Sequence, residues 1–266
     1  MPELPEVETI KRALDKTILH KRIVGVIVND AYVIKEPRVA QFKNALKNTT
    51  ITRILRKGKA LVLELSSGKF LIVHLRMTGQ LVYPGNGTKS RVRFRLSDSK
   101  ACDYNDRRRL GELRVVSDWR SMPFFAQLGP EPHELHDKQF STLLAQKNTK
   151  IKPLLMDQRC IAGVGNLYAA EALFQARIHP SREACDLSER EKKRLLLALR
   201  SIIAKAIKFR GSSIDQYVTV SGERGEYARF HKVYDREGEP CPACKAPIQR
   251  MVQAGRGTYF CGRCQK

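Results

Sequence analysis

The sequence predicts an α+β protein: an N-terminal antiparallel β-sandwich flanked by helices, then a helical domain and a short cysteine-rich hairpin module. Three observations predict it. Short β-like runs punctuated by glycines fill the first half, helical periodicity replaces them beyond residue 130, and four of the seven cysteines crowd the C-terminus.

The chain opens with Pro2-Glu3-Leu4-Pro5-Glu6-Val7-Glu8, leading into a helix whose apolar Val7, Ile10, Leu14 and Ile18 share one face. Glu3, Glu6 and Glu8 suit the positive end of its dipole. Strand-like runs follow at 23–28, 51–55, 60–65, 70–75 and 91–96, separated by Gly58, Gly68, Gly79 and Gly85-Asn86-Gly87. Gly129-Pro130-Glu131-Pro132 reads as a linker. Helices are expected over 137–146, 166–176 and about 188–209, the last opened by a Ser188/Glu191 capping box and buried along Leu195, Leu199, Ile202, Ile203 and Ala206. The expected divisions are 1–128, 129–148, 149–233 and 234–266.

The 266 residues carry a formal charge of +22 and are 42% hydrophobic. The hydrophobic fraction supports a packed core, and the charge implies a polyanionic partner, of which nucleic acid is the commonest. No apolar run reaches the length of a membrane span and no signal peptide opens the chain, so a soluble, intracellular protein with no membrane partner is expected.

Cys241-x2-Cys244 and Cys261-x2-Cys264, with sixteen residues between the pairs, have the spacing of one tetrahedral structural zinc ion. Four thiolates close the coordination shell, so the metal is a staple and not a catalyst. The scattered Cys102, Cys160 and Cys185 are expected to be small buried hydrophobes. Pro2 is chemically conspicuous only if Met1 is removed. With Met1 attached its nitrogen is a tertiary amide; freed, it is a secondary amine titrating near the ~8 of α-amino groups and able to attack a sugar carbon.

The string Met1-Pro2-Glu3-Leu4-Pro5-Glu6-Val7-Glu8-Thr9 resembles the opening of the formamidopyrimidine-DNA glycosylase family, and the resemblance recurs along the chain. Arg56-Lys57-Gly58-Lys59-Ala60-Leu61 is similar to its basic β-turn, and His74-Leu75-Arg76-Met77-Thr78-Gly79 to its histidine–methionine loop. Ile151-Lys152-Pro153 through Asp157 and Gly163-Val164-Gly165-Asn166 resemble its helix–two-turns–helix module, and Gly255-Arg256-Gly257-Thr258-Tyr259 its β-hairpin zinc finger.

The resemblance implies a base-excision repair enzyme acting on oxidised purines, 8-oxoguanine and formamidopyrimidines. It implies catalysis by Pro2, Glu3, Lys59 and Arg256, through a Schiff base on Pro2 and then β,δ-elimination. It implies DNA contacts from His74, Met77, Lys89, Arg108, Leu110, Lys147, Lys152 and Asn166, a monomer, and a bacterial-type, nucleoid-associated cytoplasmic location. Three positions depart from the family pattern: Leu110 stands where a phenylalanine is usual, Arg107 where a proline is, and Lys89 where a histidine is. Residues 211–227, with Gly222 and Gly225, correspond to a loop over the extruded base. Two other readings fit parts of the chain: an endonuclease VIII-like enzyme for oxidised pyrimidines, and a non-catalytic protein that recognises damaged DNA.

Overall fold

A computed structural model describes every residue from Met1 to Lys266 except residue 215. The described residues form two compact units, Met1–Ala126 with Ala206–Ala228, and Gln127–Lys205 with Arg229–Lys266.

The first unit begins with α1 (Leu4–Thr17), β1 (Arg22–Val28), β2 (Ile34–Glu36), α2 (Val39–Leu46) and β3 (Thr49–Lys57). It continues with β4 (Ala60–Leu65), β5 (Phe70–His74), β6 (Gly79–Val82), β7 (Ser90–Leu96), β8 (Ala101–Asp106), β9 (Glu112–Val116) and α3 (Pro123–Ala126). Nine strands run in the order β2-β9-β5-β4-β3-β1-β7-β8-β6. Only Arg22↔Thr50 and Ile23↔Thr49 join β1 to β3, after which β1 leaves to pair with β7 as far as Val28. Side chains from both halves, among them Leu61, Leu63, Val73, Val92, Phe94 and Leu113, share one core with Val7, Ile10 and Leu14 of α1. Burying apolar area of this kind is the main favourable term in folding.

Every pairing is antiparallel except β2 with β9, a short parallel pair at the edge. The sequence reading contains neither these strands nor β6, β8 and α2. The reason is composition. In β8, Asp103 and Asp106 occupy buried strand positions because their carboxylates organise turns: Asp103 accepts the Gly87 N–H at 2.7 Å. In α2 only Phe42 and Leu46 are buried, one i,i+4 pair and too little for a periodic signal.

The second unit holds α4 (Asp137–Ala145), α5 (Ile151–Met156), α6 (Asn166–Gln175), most of α7 (Glu189–Lys208) and the hairpin β10 (Gln249–Gln253)–β11 (Arg256–Phe260). The expected α7 stripe is buried throughout. Its capping box forms, with the Ser188 N–H and hydroxyl each 2.8 Å from Glu191 Oε2. Cys102 and Cys160 are buried as expected. Cys185 is not: it is half-buried in a loop, its Sγ 3.9 Å from Asn148 Oδ1, because the chain there has left the helices.

Leu14 is completely buried on the α1 face that covers the sheet. Leu14→Ala is expected to cost about 2–5 kcal/mol in the unfolding of the first unit, read by urea denaturation; a cost under about 1 kcal/mol would contradict this account of the core.

Candidate functional site

Pro2 and Glu3 are both buried, immediately before α1. Glu3 is the N-cap in extended conformation, and its N–H donates to Glu6 Oε2 at 2.9 Å. The other Glu6 oxygen accepts the N–H of Ser212 at 2.9 Å, 206 positions along the chain. Glu6 is 3% exposed, so a buried carboxylate gathers main-chain donors from both segments. Gly211 allows this: a Cβ there would lie 2.9 Å from Glu6 Cγ, and its φ is +77°.

The described residues of segment 211–227, expected as a cover, are extensively bonded within the first unit. Tyr83 N–H donates to Val220 O at 2.8 Å, and the Gln80 amide donates to Gln216 O at 2.5 Å. Ser213 Oγ donates to Tyr217 O and accepts the Gly225 N–H, at 2.7 and 2.8 Å.

The basic turn between β3 and β4 is fastened to α1. Arg56 Nε donates to Glu8 Oε2 at 3.0 Å, and the same guanidinium donates to Gly58 O at 3.0 Å. Arg56 and Arg12 hold the Glu8 carboxyl below its ordinary range against the opposing effect of burial. Lys59 follows in that turn and is buried; Ala60, next in the chain, pairs with His74 at the end of β5. His74 is thus close enough to Lys59 to feel its charge. Burial foremost, then the charges of Arg76 and Lys59, push the imidazole down to about 4. Its Nδ1 accepts the Arg76 N–H at 3.1 Å, which puts the proton of the neutral ring on Nε2.

Met77, Arg108 and Leu110 lie on two loops stitched together by one hydroxyl. Thr78 Oγ1 donates to Asp106 Oδ1 at 2.5 Å and accepts the Arg108 N–H at 3.0 Å. Asp106 Oδ2 accepts the Gly111 N–H at 2.7 Å and closes the loop. A Cβ at Gly111 would fall on the Tyr104 hydroxyl, so only glycine fits. Residues 107 to 110 project outward, with Leu110 43% exposed, while Met77 is half-buried. Lys89 is exposed nearby in sequence, just before β7.

In the second unit, α5, two turns and α6 form the helix–two-turns–helix element. Gln158 shapes the turns: its amide donates to Met156 O and Val164 O at 2.9 and 2.8 Å, and its oxygen accepts the Gly163 N–H at 2.9 Å. Gly165 then caps α6, leaving Asn166 at the helix start, where the positive end of the helix dipole favours an anion. Lys147 is exposed. Lys152 is 1% exposed: its ammonium donates to Asn166 Oδ1 at 2.6 Å and to Thr258 Oγ1 at 2.7 Å. The Asn166 amide donates in turn to Gly257 O at 3.1 Å. Lys152 therefore joins α6 to the hairpin. At the hairpin tip, Ala254 and Gly255 both have positive φ, the two-residue turn that suits strand twist, and Arg256 emerges exposed beside them.

The four cysteine sulfurs lie within 4.8 Å of one another, with Cys241–Cys264 at 3.9 Å and Cys244–Cys261 at 3.5 Å. Tetrahedral zinc with sulfurs at ~2.3 Å has S–S edges of about 3.8 Å, so the cluster fits one ion. These cysteines form a structural zinc site.

Sequence reasoning missed the supporting groups: Glu6 as a clamp, Thr78 and Asp106, Gln158, and Glu171. Glu171 is a buried α6 carboxylate that accepts the N–H groups of Lys232, Val233 and Tyr234 at 2.9–3.0 Å. Its only signal was an acid on the apolar face of a predicted helix.

Residues 1–113 match the formamidopyrimidine-DNA glycosylase N-terminal domain, 128–218 its H2TH domain, and 238–266 the zinc finger found in these glycosylases and isoleucyl-tRNA synthetases. The chain is 40% identical to the formamidopyrimidine-DNA glycosylase of Pelotomaculum thermopropionicum, over all of this chain and 99% of that one. It is 41% identical to the protein of that name from Halalkalibacterium halodurans over the full length of both. Among solved structures, the MutM (Fpg) protein of Thermus thermophilus matches with a TM-score of 0.90 at 38% identity, covering 99% of this chain and 98% of that one. The Lactococcus lactis Fpg in complex with abasic-site DNA matches with a TM-score of 0.91 at 34% identity, covering 99% of each chain. Among the described residues, no helix is long and apolar enough to cross a membrane.

Two outcomes are expected. Chelation of the metal, or Cys244→Ser, should release one zinc per chain and unfold the hairpin while the first unit keeps its thermal transition; retained hairpin structure without metal would contradict the staple role. His74 binds its proton only near pH 4 when folded, against about 6.5 unfolded, so between these values the unfolded state takes up more protons. Its contribution to stability is therefore full above pH 6.5 and is lost as pH falls toward 4. A His74 ring titrating near 6.5 by NMR would refute this.

Proposed function

Because the chain belongs to the formamidopyrimidine-DNA glycosylase family, we propose that it is a base-excision repair enzyme that removes oxidised purines from duplex DNA and then cuts the abasic strand. The observation that carries the reading is the buried Pro2–Glu3 start, fixed through Glu6 to Ser212. A proline that merely began a helix would need no such second anchor.

With Met1 removed, the Pro2 nitrogen attacks C1′ as the glycosidic bond breaks and its electrons leave with the base. Glu3 supplies or accepts the proton at the sugar. Opening of C1′–O4′ gives an iminium between Pro2 and C1′. The iminium acidifies C2′–H, and loss of that proton expels the 3′ phosphate; Lys59, in the turn beside His74, assists this β-elimination. A second, δ-elimination expels the 5′ phosphate with help from Arg256, and hydrolysis of the imine frees the enzyme.

Reaching C1′ requires extruding the nucleotide. Met77, Arg108 and Leu110, on loops joined through Thr78 and Asp106, fill the space it leaves. Leucine keeps an apolar wedge but gives up ring stacking of ~1–3 kcal/mol. His74, Lys89, Lys147 and Asn166 hold phosphates, and Lys152 acts by fixing Asn166 and Thr258. Residues 211–227 select the base, in a protein that works as a monomer, in the cytoplasm and on the nucleoid.

Borohydride trapping tests the chemistry. The Met1-processed protein should give a covalent adduct with abasic DNA whose attachment maps to Pro2 by mass spectrometry. Protein retaining Met1 should bind the same DNA without trapping. No adduct between pH 6 and 9 would refute the lyase assignment, and faster release of thymine glycol than of 8-oxoguanine would refute the substrate.

A further inference from the structure

Beside the loop that carries Arg108 and Leu110 stands an exposed aromatic ring for which the mechanism above has no use. Tyr32 is 60% exposed, in a single 3-10 turn, Ala31–Val33. The turn is held by Asp30, whose carboxylate accepts the Tyr32 N–H at 3.1 Å. The same carboxylate grips Arg109 with two contacts, at 2.7 Å from Nε and 3.0 Å from a terminal nitrogen. Arg91 approaches it at 3.5 Å and donates to Asp106 O at 2.9 Å. Tyr32 is therefore linked to the 106–111 loop through Asp30, directly at Arg109 and by way of Arg91 at Asp106.

Two cations lie against the ring. Lys35 Nζ is 3.9 Å from the ring centroid and 2.7 Å from Tyr32 O, and the Arg109 guanidinium is 5.0 Å from the centroid. A carboxylate that positions a cation also cancels its charge. An aromatic face positions it and leaves the charge standing. Arg91 and Arg109 share the acid Asp30, Lys35 is held by the ring and a carbonyl, and Arg107 and Arg108 are exposed on the same loop as Arg109, so this edge of the first unit keeps a net positive charge with ordered geometry.

We propose that Lys35, braced by the Tyr32 ring, forms an additional phosphate-binding site for the duplex flanking the lesion, beside the 106–111 loop, to which Asp30 and Arg109 tie it. The proposal rests on the reading of that loop as a DNA contact. Lys35 meets the phosphate, Tyr32 keeps its ammonium from swinging into solvent, and Asp30 sets the distance between this site and the wedge. The ring adds affinity by lowering the ordering cost of the lysine and not by stacking on a base.

The test is binding of full-length protein to a duplex carrying a non-cleavable tetrahydrofuran abasic analogue, followed across a salt titration, with undamaged duplex alongside. Lys35→Gln should lower the salt slope of log K by about one and weaken binding several-fold at low salt. Tyr32→Leu, which removes no charge, should reproduce part of the loss, and adding Lys35→Gln to it should cost less than in the wild type. Both positions are on the surface, so unchanged melting temperatures are expected. If the wild type prefers the abasic analogue but Lys35→Gln leaves slope and affinity unaltered, this site does not exist and the wider function stands. Additive effects of the two substitutions would overturn the bracing by Tyr32. If the wild type shows no preference for the abasic analogue, the function and this site fall together.

Discussion

The arrangement of the first unit depends on one buried carboxylate. Glu6 takes its hydrogen bonds from the N–H of Glu3 and the N–H of Ser212. The first bond fixes how the chain enters α1, and so where the residue before the cap must sit. The second draws the 211–212 backbone against the helix start. Burying a carboxylate is costly without such donors, and both segments must be ordered to provide them. The order of the N-terminus and of the distant segment is thus one property.

A similar economy governs the loops at 76–79 and 106–111. Asp106, buried inside a strand, spends its two oxygens on the Thr78 hydroxyl and the Gly111 N–H, and Thr78 passes the connection to the Arg108 N–H. Two loops distant in sequence thereby become one rigid edge, and the side chains between their anchors are free to be specialised. In the second unit Lys152 does comparable work. Its buried ammonium satisfies Asn166 and Thr258, so the metal-stapled hairpin and the start of α6 share one hydrogen-bond system.

Much of this was legible in the sequence where the signal is periodic or covalent in origin. The α1 and α7 stripes, the Ser188–Glu191 cap and the two cysteine pairs each follow from local spacing and are found as read. The order of the motifs carried the family. What spacing could not carry were interactions whose meaning is long-range. A strand containing Asp103 and Asp106 looks like a loop until the turns that those acids organise are in place. Lys152 is expected as a DNA contact, and nothing local shows that it is 1% exposed, since lysine is so rarely buried. Tyr32 belongs to no motif, and Glu6, though inside the opening motif, gives no local sign of its role as a clamp, since their partners Arg109 and Ser212 lie far along the chain.

The first unit is discontinuous, its last piece, Ala206–Ala228, arriving after the whole of 127–205. During synthesis the N-terminal residues therefore leave the ribosome long before Glu6 can meet Ser212. The β-strands can pair early, as domains commonly do on a growing chain, but the anchor of the N-terminus waits for its distant donor. A truncated or stalled chain would carry the proline without the architecture that places it. Vectorial synthesis thus makes the buried start of α1 the last part of this unit to be finished, although it is the first part to be made.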